Sequence, residues 1–219
     1  MRTTLPSGTA AEIARADSNE IGSAIEIGIA LHPDIMGLRP LFDEHVARLA
    51  SEGFTTCAIE PWPGQEDVPL EKRMEMSVDL DRVLGDLEAA ADATECERVG
   101  VLGFCMGGME AFRAAGTGRF HRAVAFYGMI VPPEAWRVPG RDPLDMLRRP
   151  EACRTLAVLG GQDPYTPPDD IKLLRELSNV ETAVYPEAEH GFAHAPERPS
   201  HRADDAADAW SRALDFFRS

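Results

Sequence analysis

The stretch RVGVLGFCMGG, residues 98–108, runs from an apolar segment through a glycine-rich turn into sequence of helical composition. A short apolar run bounded in this way reads as a strand buried on both faces of a sheet. Gly103 and Gly107 stand two residues before and two after Cys105. That is the G-x-nucleophile-x-G spacing, in which a reactive residue sits on a strained turn between strand and helix and only small neighbours fit. A cysteine at the head of a helix also feels the positive end of the aligned peptide dipoles, which favours thiolate over thiol. A free cysteine taken alone is most often a small buried hydrophobe, so a catalytic reading requires partners elsewhere in the chain.

Working outward, the flanking sequence alternates between the two periodicities. Upstream, TAAEIARA from Thr9 and AIEIGIALH from Ala24 read as strands separated by an Asp-Ser-Asn-Glu turn, followed by a helix from Pro40 to Ser51 that stops at Gly53 and presents Leu41, His45 and Leu49 on one side. FTTCAIEPW follows as a strand, and residues 71–93 place Met74, Val78, Leu84, Leu87 and Ala91 at the spacing of one long amphipathic helix. Downstream come a helix from Met106, strand AVAFYG, a Pro-rich stretch from Val131 to Pro150 read as a surface excursion or small lid, strand TLAVLGG, a helix from Asp169, strand ETAVYP, and a terminal helix carrying Ala203, Ala206, Trp210, Ala213, Leu214 and Phe217. This order predicts an α/β fold with a mostly parallel central sheet and helices on both faces, forming one domain over residues 1–219. Functional groups in such a sheet collect at the carboxyl ends of the strands.

Two further residues fall at those ends. Asp163 follows TLAVLGG in the loop GGQDPYTPP, and His190 follows TAVYP in AEHGFAH. An Asp in such a loop is more often a turn former, and a lone loop histidine is more often solvated. Nucleophile, acid and histidine in this chain order, each beyond a strand, nevertheless match the triad order of this kind of sheet. In that arrangement His190 moves the proton, Asp163 fixes its tautomer, and Cys105 attacks a carbonyl to give an acyl-thioester. The backbone N–H groups of Met106 and Ile35 are the candidate oxyanion donors.

Composition limits the partners. Asp and Glu outnumber Lys and Arg by 37 to 22, giving a net charge of −15, which repels nucleic acid and disfavours anionic substrates unless local arginines reverse the field. Cys57, Cys96, Cys105 and Cys153 lack CxxC spacing and disulfide-scaffold density, so reduced thiols in a cytoplasmic protein without a metal are expected. No signal-like or membrane-length apolar run is visible. A monomer is the default expectation for this size.

GFCMGG, GGQDPYTPP and AEHGFAH, with FYGM at 126–129 and GDLEAA at 85–90, resemble the dienelactone hydrolase family of α/β-hydrolases from about Ala24 to Phe217. The resemblance implies hydrolysis of an enol-lactone of the carboxymethylenebutenolide kind, with no metal or organic cofactor. It also implies roles around the thiol and substrate for Asp34, standing where the family commonly has glutamate, and for His194, standing where it commonly has a carboxylate-binding arginine. Arg198 and Arg73 are the remaining arginine candidates, and Tyr127 and Tyr165 are candidate pocket walls. A general carboxylesterase or thioesterase acting on an uncharged ester, and a catalytically silent scaffold, are the alternatives. A glutamine amidotransferase is rejected, because its histidine is paired with a carboxylate two residues on and that position here holds Phe192.

Overall fold

The apolar strands read from the sequence assemble into one sheet. The computed structural model describes residues 1–16 and 26–219. Its eight strands are β1 (Arg2–Thr4), β2 (Ala10–Ala14), β3 (Ile27–His32), β4 (Phe54–Ile59), β5 (Arg98–Phe104), β6 (Arg122–Phe126), β7 (Arg154–Gly160) and β8 (Val180–Tyr185), in the order β1-β2-β4-β3-β5-β6-β7-β8. From β4 to β8 every neighbouring pair is parallel, whereas β1 and β2 join antiparallel at the edge beside β4. The sheet is therefore mostly parallel, as expected. The Asp-Ser-Asn-Glu turn and the first residues of the strand expected from Ala24 lie outside the described residues.

The helices are α1 (Pro40–Ser51), α2 (Leu70–Arg73), α3 (Leu80–Ala93), α4 (Met106–Ala115), α5 (Pro143–Leu147), α6 (Pro168–Arg175) and α7 (Ala203–Arg218). Alternation along the strands divides the core into two layers. Val99, Val101, Ala123, Ala125, Ala157 and Leu159 pack with α3, α4 and α6 on one face. Leu102, Phe104, Val124, Phe126, Leu156 and Val158 pack with α1 and α7 on the other. Side chains at successive strand positions point to opposite faces, so fully apolar strands supply both layers at once.

Three expectations need correction. The single helix over 71–93 is two, because Asp79 adopts an extended backbone and its carboxylate accepts from the Arg82 amide at 3.1 Å, a cap that starts a new helix. Met74 and Val78 consequently pack against a small third cluster with Ile35, Trp62, Met106 and Trp136. In α1 it is Phe42, not Leu41, that is fully buried beside His45, Val46 and Leu49. The Pro-rich stretch contains a 3-10 turn, Glu134–Trp136, as well as α5, and it is anchored rather than a loose excursion. Arg113 of α4 donates to the carbonyls of Trp136 at 2.6 Å and Arg141 at 3.1 Å, and Trp136 is buried.

Candidate active site

The turn after β5 is set by close backbone approach. Cys105 has φ 57° and ψ −115°, a left-handed conformation rare for a residue with a side chain, and its amide donates to the Phe126 carbonyl at 3.0 Å. A Cβ at Gly103 would lie 1.8 Å from the Gly107 carbonyl oxygen, and one at Gly107 would lie 2.2 Å from that of His32. Both flanking positions therefore admit only glycine, the physical content of the motif. The strained turn lifts Cys105 to the head of α4, where it lines a cavity of about 510 Å³.

His190, from the loop after β8, lines the same cavity, and Asp163, from the loop after β7, is buried against it. His190 Nδ1 lies 2.7 Å from Asp163 Oδ2, while Asp163 Oδ1 accepts from the Tyr165 amide at 2.9 Å. Burial opposes charging His190, but hydrogen bonds and charges from Asp163 and Cys105 outweigh it and raise the imidazole to about 9. The sequence thus identified three residues that the fold brings together.

The loop after β3 carries Ile35 to the opposite wall of the cavity. The Asp34 carbonyl accepts from the Gly37 amide at 3.0 Å, which fixes the peptide whose N–H belongs to Ile35. The next peptide is held through the Ile35 carbonyl, which accepts from Trp62 Nε1 and Arg73 Nη1, both at 2.9 Å. Neither the Ile35 nor the Met106 amide donates to an acceptor among the described residues. Two unpaired amides flanking a nucleophile can receive developing negative charge.

Beside this loop lies a buried polar chain. Asp34 is bidentate to Arg39, at 2.7 and 2.8 Å, and also accepts from the Met36 amide at 2.9 Å and from His194 Nε2 at 2.9 Å. Burial alone would raise the Asp34 carboxyl, yet its bonds to His194 and Arg39 hold it well below the usual carboxylate range. Burial depresses His194, whose Nε2 donates a hydrogen bond to Asp34 and whose Nδ1 accepts one from the Tyr127 hydroxyl. Tyr127, fully buried with φ 41°, is pushed well above its ordinary pKa by burial and then by the nearby Asp34 and Cys105 charges. The backbone of the histidine loop is held by α1 and α7, through His45 Nε2 on the His194 carbonyl at 2.8 Å and Trp210 Nε1 on that of Ala193 at 3.0 Å.

The remaining candidates divide. Arg198 and Tyr165 line the cavity. His194 is buried with both ring nitrogens engaged, and Arg73 is buried with its guanidinium on the carbonyls of Val68, Glu66 and Ile35. Arg73 therefore braces the loop from behind and is not an exposed cation. Residues missed by sequence reading are Arg39, whose position five after Asp34 in HPDIMGLRP was the only available signal, and the apolar lining of Met36, Leu70, Met74, Met129 and Trp136. Those five come from four separate segments, and no local pattern links them.

Comparison with known proteins gives concordant results. The model of the dienelactone hydrolase family matches residues 22–219. A Bradyrhizobium protein named "Probable 2-oxo-3-(5-oxofuran-2-ylidene)propanoate lactonase" is 30% identical, covering 87% of this chain and 82% of its own. A Pseudomonas putida protein named carboxymethylenebutenolidase is 28% identical, covering 86% of this chain and 84% of its own. Among solved structures, a dienelactone hydrolase-like promiscuous phosphotriesterase from metagenomic libraries superposes with TM-score 0.74 at 20% identity, covering 99% and 96% of the two chains, which supports the α/β-hydrolase fold.

Proposed function

Because the chain belongs to the dienelactone hydrolase family, we propose that it hydrolyses a small enol-lactone or activated ester through a Cys105-Asp163-His190 triad. At the coarser level it is a carboxylic ester hydrolase of the carboxymethylenebutenolidase type. The observation that carries the finer reading is Cys105, held in a left-handed turn at the head of α4 and sharing a cavity with His190, itself 2.7 Å from Asp163.

His190 Nε2 takes the Cys105 proton and leaves the sulfur as the nucleophile. Sulfur attacks the ester carbonyl carbon, and the oxyanion is received by the Ile35 and Met106 amides. Collapse breaks the bond to the leaving oxygen, which takes the proton from His190 Nε2. A water molecule, deprotonated by the same nitrogen, then attacks the acyl-thioester and releases the acid and the thiolate. Asp163 holds the Nδ1 proton throughout. Thiolate leaves more readily than a simple alkoxide, so the first intermediate goes forward only when the substrate's own leaving oxygen is stabilised, as in enol and phenol esters.

One observation favours a second reading, a general esterase for uncharged substrates. His194 and Arg39 are both committed to Asp34, leaving Arg198 as the cavity cation not so engaged, and Glu197 lines the cavity beside it. The ultraviolet time course of a dienelactone, with p-nitrophenyl acetate alongside, separates the two. Lactone consumption by the wild type and not by Cys105→Ala supports the lactonase. Cleavage of the aryl ester alone moves the substrate to neutral esters, and an active Cys105→Ala variant overturns the triad.

A further inference from the structure

At the amino-terminal ends of the parallel strands, two arginines stand in register and a third lies one side-chain repeat away. Arg122 opens β6 and Arg154 opens β7, directly paired, and Gly100 on β5 is the partner of Arg122 on its other side. Arg98 lies two residues before Gly100, so the period of the strand puts all three side chains on one face. That face is the one covered by α7. The Arg122 and Arg154 guanidinium carbons each lie 5.7 Å from the Phe216 ring centroid, and a Cβ on Gly100 would strike Phe217. His121, next to Arg122, joins the group through a contact between its Nε2 and Arg98 Nη2.

Among the described residues no carboxylate forms an ion pair with Arg98, Arg122 or Arg154, although the chain carries 37 acidic residues and ten of its other arginines are ion-paired. Arg122 Nε and His121 Nδ1 are buried without a hydrogen-bond partner. Arg122 spends one nitrogen on the adjacent His121 carbonyl at 3.1 Å. Burial and then repulsion by Arg154 and Arg98 lower the Arg122 pKa, so the cluster is a concentration of like charge without an internal counterion. A protein with a net charge of −15 has acidic side chains to neutralise such a cluster, and among the described residues none pairs with it.

We propose that the N-terminal edge of β5, β6 and β7 binds a phosphate-type oxyanion through Arg98, Arg122, Arg154 and His121. Guanidinium forks match the geometry of phosphate oxygens and hold them in bidentate pairs, and Phe216 provides an apolar floor that keeps the two forks side by side. The ligand is a doubly charged phosphate group, either free or at the end of a small molecule. The site lies at the other end of β5 from Cys105. Seven residues at the rise of a strand place it about 20 Å from the nucleophile, so it is separate from the hydrolytic cavity.

The test uses the full chain at low ionic strength and follows inorganic phosphate and a phosphomonoester, glycerol phosphate, by phosphorus NMR linewidth. Chloride at matched ionic strength serves as the control. Broadening of the phosphate signal by the wild type, at least tenfold weaker affinity in Arg122→Gln/Arg154→Gln, and unchanged ester hydrolysis in that variant are expected. Tighter binding of the monoester than of free phosphate would identify a phosphorylated small molecule as the source, and equal binding would identify phosphate itself. Arg154→Gln alone, at an exposed position, keeps the test valid if the double variant does not fold. Equal broadening by the wild type and Arg154→Gln, or complete competition by chloride at matched ionic strength, would overturn the site.

Discussion

At the residue scale, the proposed triad depends on where each titratable group keeps its proton. His190 is held charged by two acceptors, Asp163 and Cys105, so removing the sulfur removes part of what raises it. In Cys105→Ala the His190 titration, followed by imidazole NMR, should move below the wild-type position of about 9. An unchanged midpoint would mean that sulfur and imidazole are not paired. Asp34 has a different task. Both of its oxygens are used, so it cannot swing toward the thiol without abandoning Arg39, His194 and the Met36 amide. The role proposed for it is to hold the loop that carries Ile35, through its bond from the Met36 amide. Losing an oxyanion donor outright costs roughly 100-fold to 1,000-fold in kcat, and displacing one should cost less. Asp34→Asn is therefore expected to lower kcat by about 10-fold to 100-fold with KM little changed. Steady-state kinetics on one ester decide it, since a pure substrate-binding role would raise KM instead.

At the element scale, the connection between β6 and β7 is fastened to α4, the helix that follows Cys105. Arg113 forms a fully buried pair with Glu110 at 2.8 Å, approaches Asp142 at 3.5 Å, and donates to the carbonyls of Trp136 and Arg141. Trp136 in turn forms one wall of the cavity and donates its indole N–H to the Met76 carbonyl at 3.0 Å. One guanidinium thus ties α4 to the cavity wall. Burial raises the Glu110 carboxyl, and Arg113 offsets that cost. Arg113→Met should destabilise the fold by about 3–5 kcal/mol, the usual cost of leaving a buried charge unpaired. Adding Glu110→Gln should recover part of that loss. Thermal unfolding of both variants, with hydrogen exchange over residues 131–142, provides the check, and a neutral single variant would refute the role given to the pair.

At the scale of the whole molecule, acid sensitivity follows from buried histidines, His32 at the end of β3 and His45 on α1. Burial holds His32 and His45 down to about 4 from an ordinary value near 6.5, so the native state resists protonating them while the unfolded chain does not. A group depressed in the folded state contributes stability that is complete above its unfolded pKa. That stability is lost as pH falls through the folded one. The window here is pH 6.5 down to 4, at a cost on the order of 3 kcal/mol for each histidine. Urea unfolding midpoints should fall steadily across that window, and His32→Gln should flatten the decline. A wild-type midpoint constant between pH 6.5 and 4 would contradict it. Asp34, also depressed, adds its loss only below the carboxylate range.

The sequence by itself determined the alternation of strands and helices, the turn around Cys105, and the identity of Asp163 and His190. Each of these is written in local spacing: apolar periodicity, glycines two residues either side of a strained position, loop residues just beyond a strand. It also pointed to Ile35 and Met106 as candidate amides by topology, because a parallel sheet fixes which loops lie beside the turn at Cys105. Only the tertiary structure decided that the helix over 71–93 breaks at Asp79, that β1 and β2 cap the sheet edge antiparallel, and that Arg73 braces a loop from behind. It also decided that Asp34 is closed off by Arg39 and His194, residues 5 and 160 positions away in the chain. Hydrogen-bond partners, cavity walls and uncompensated charges are properties of groups distant in sequence, and no periodicity records which of them meet.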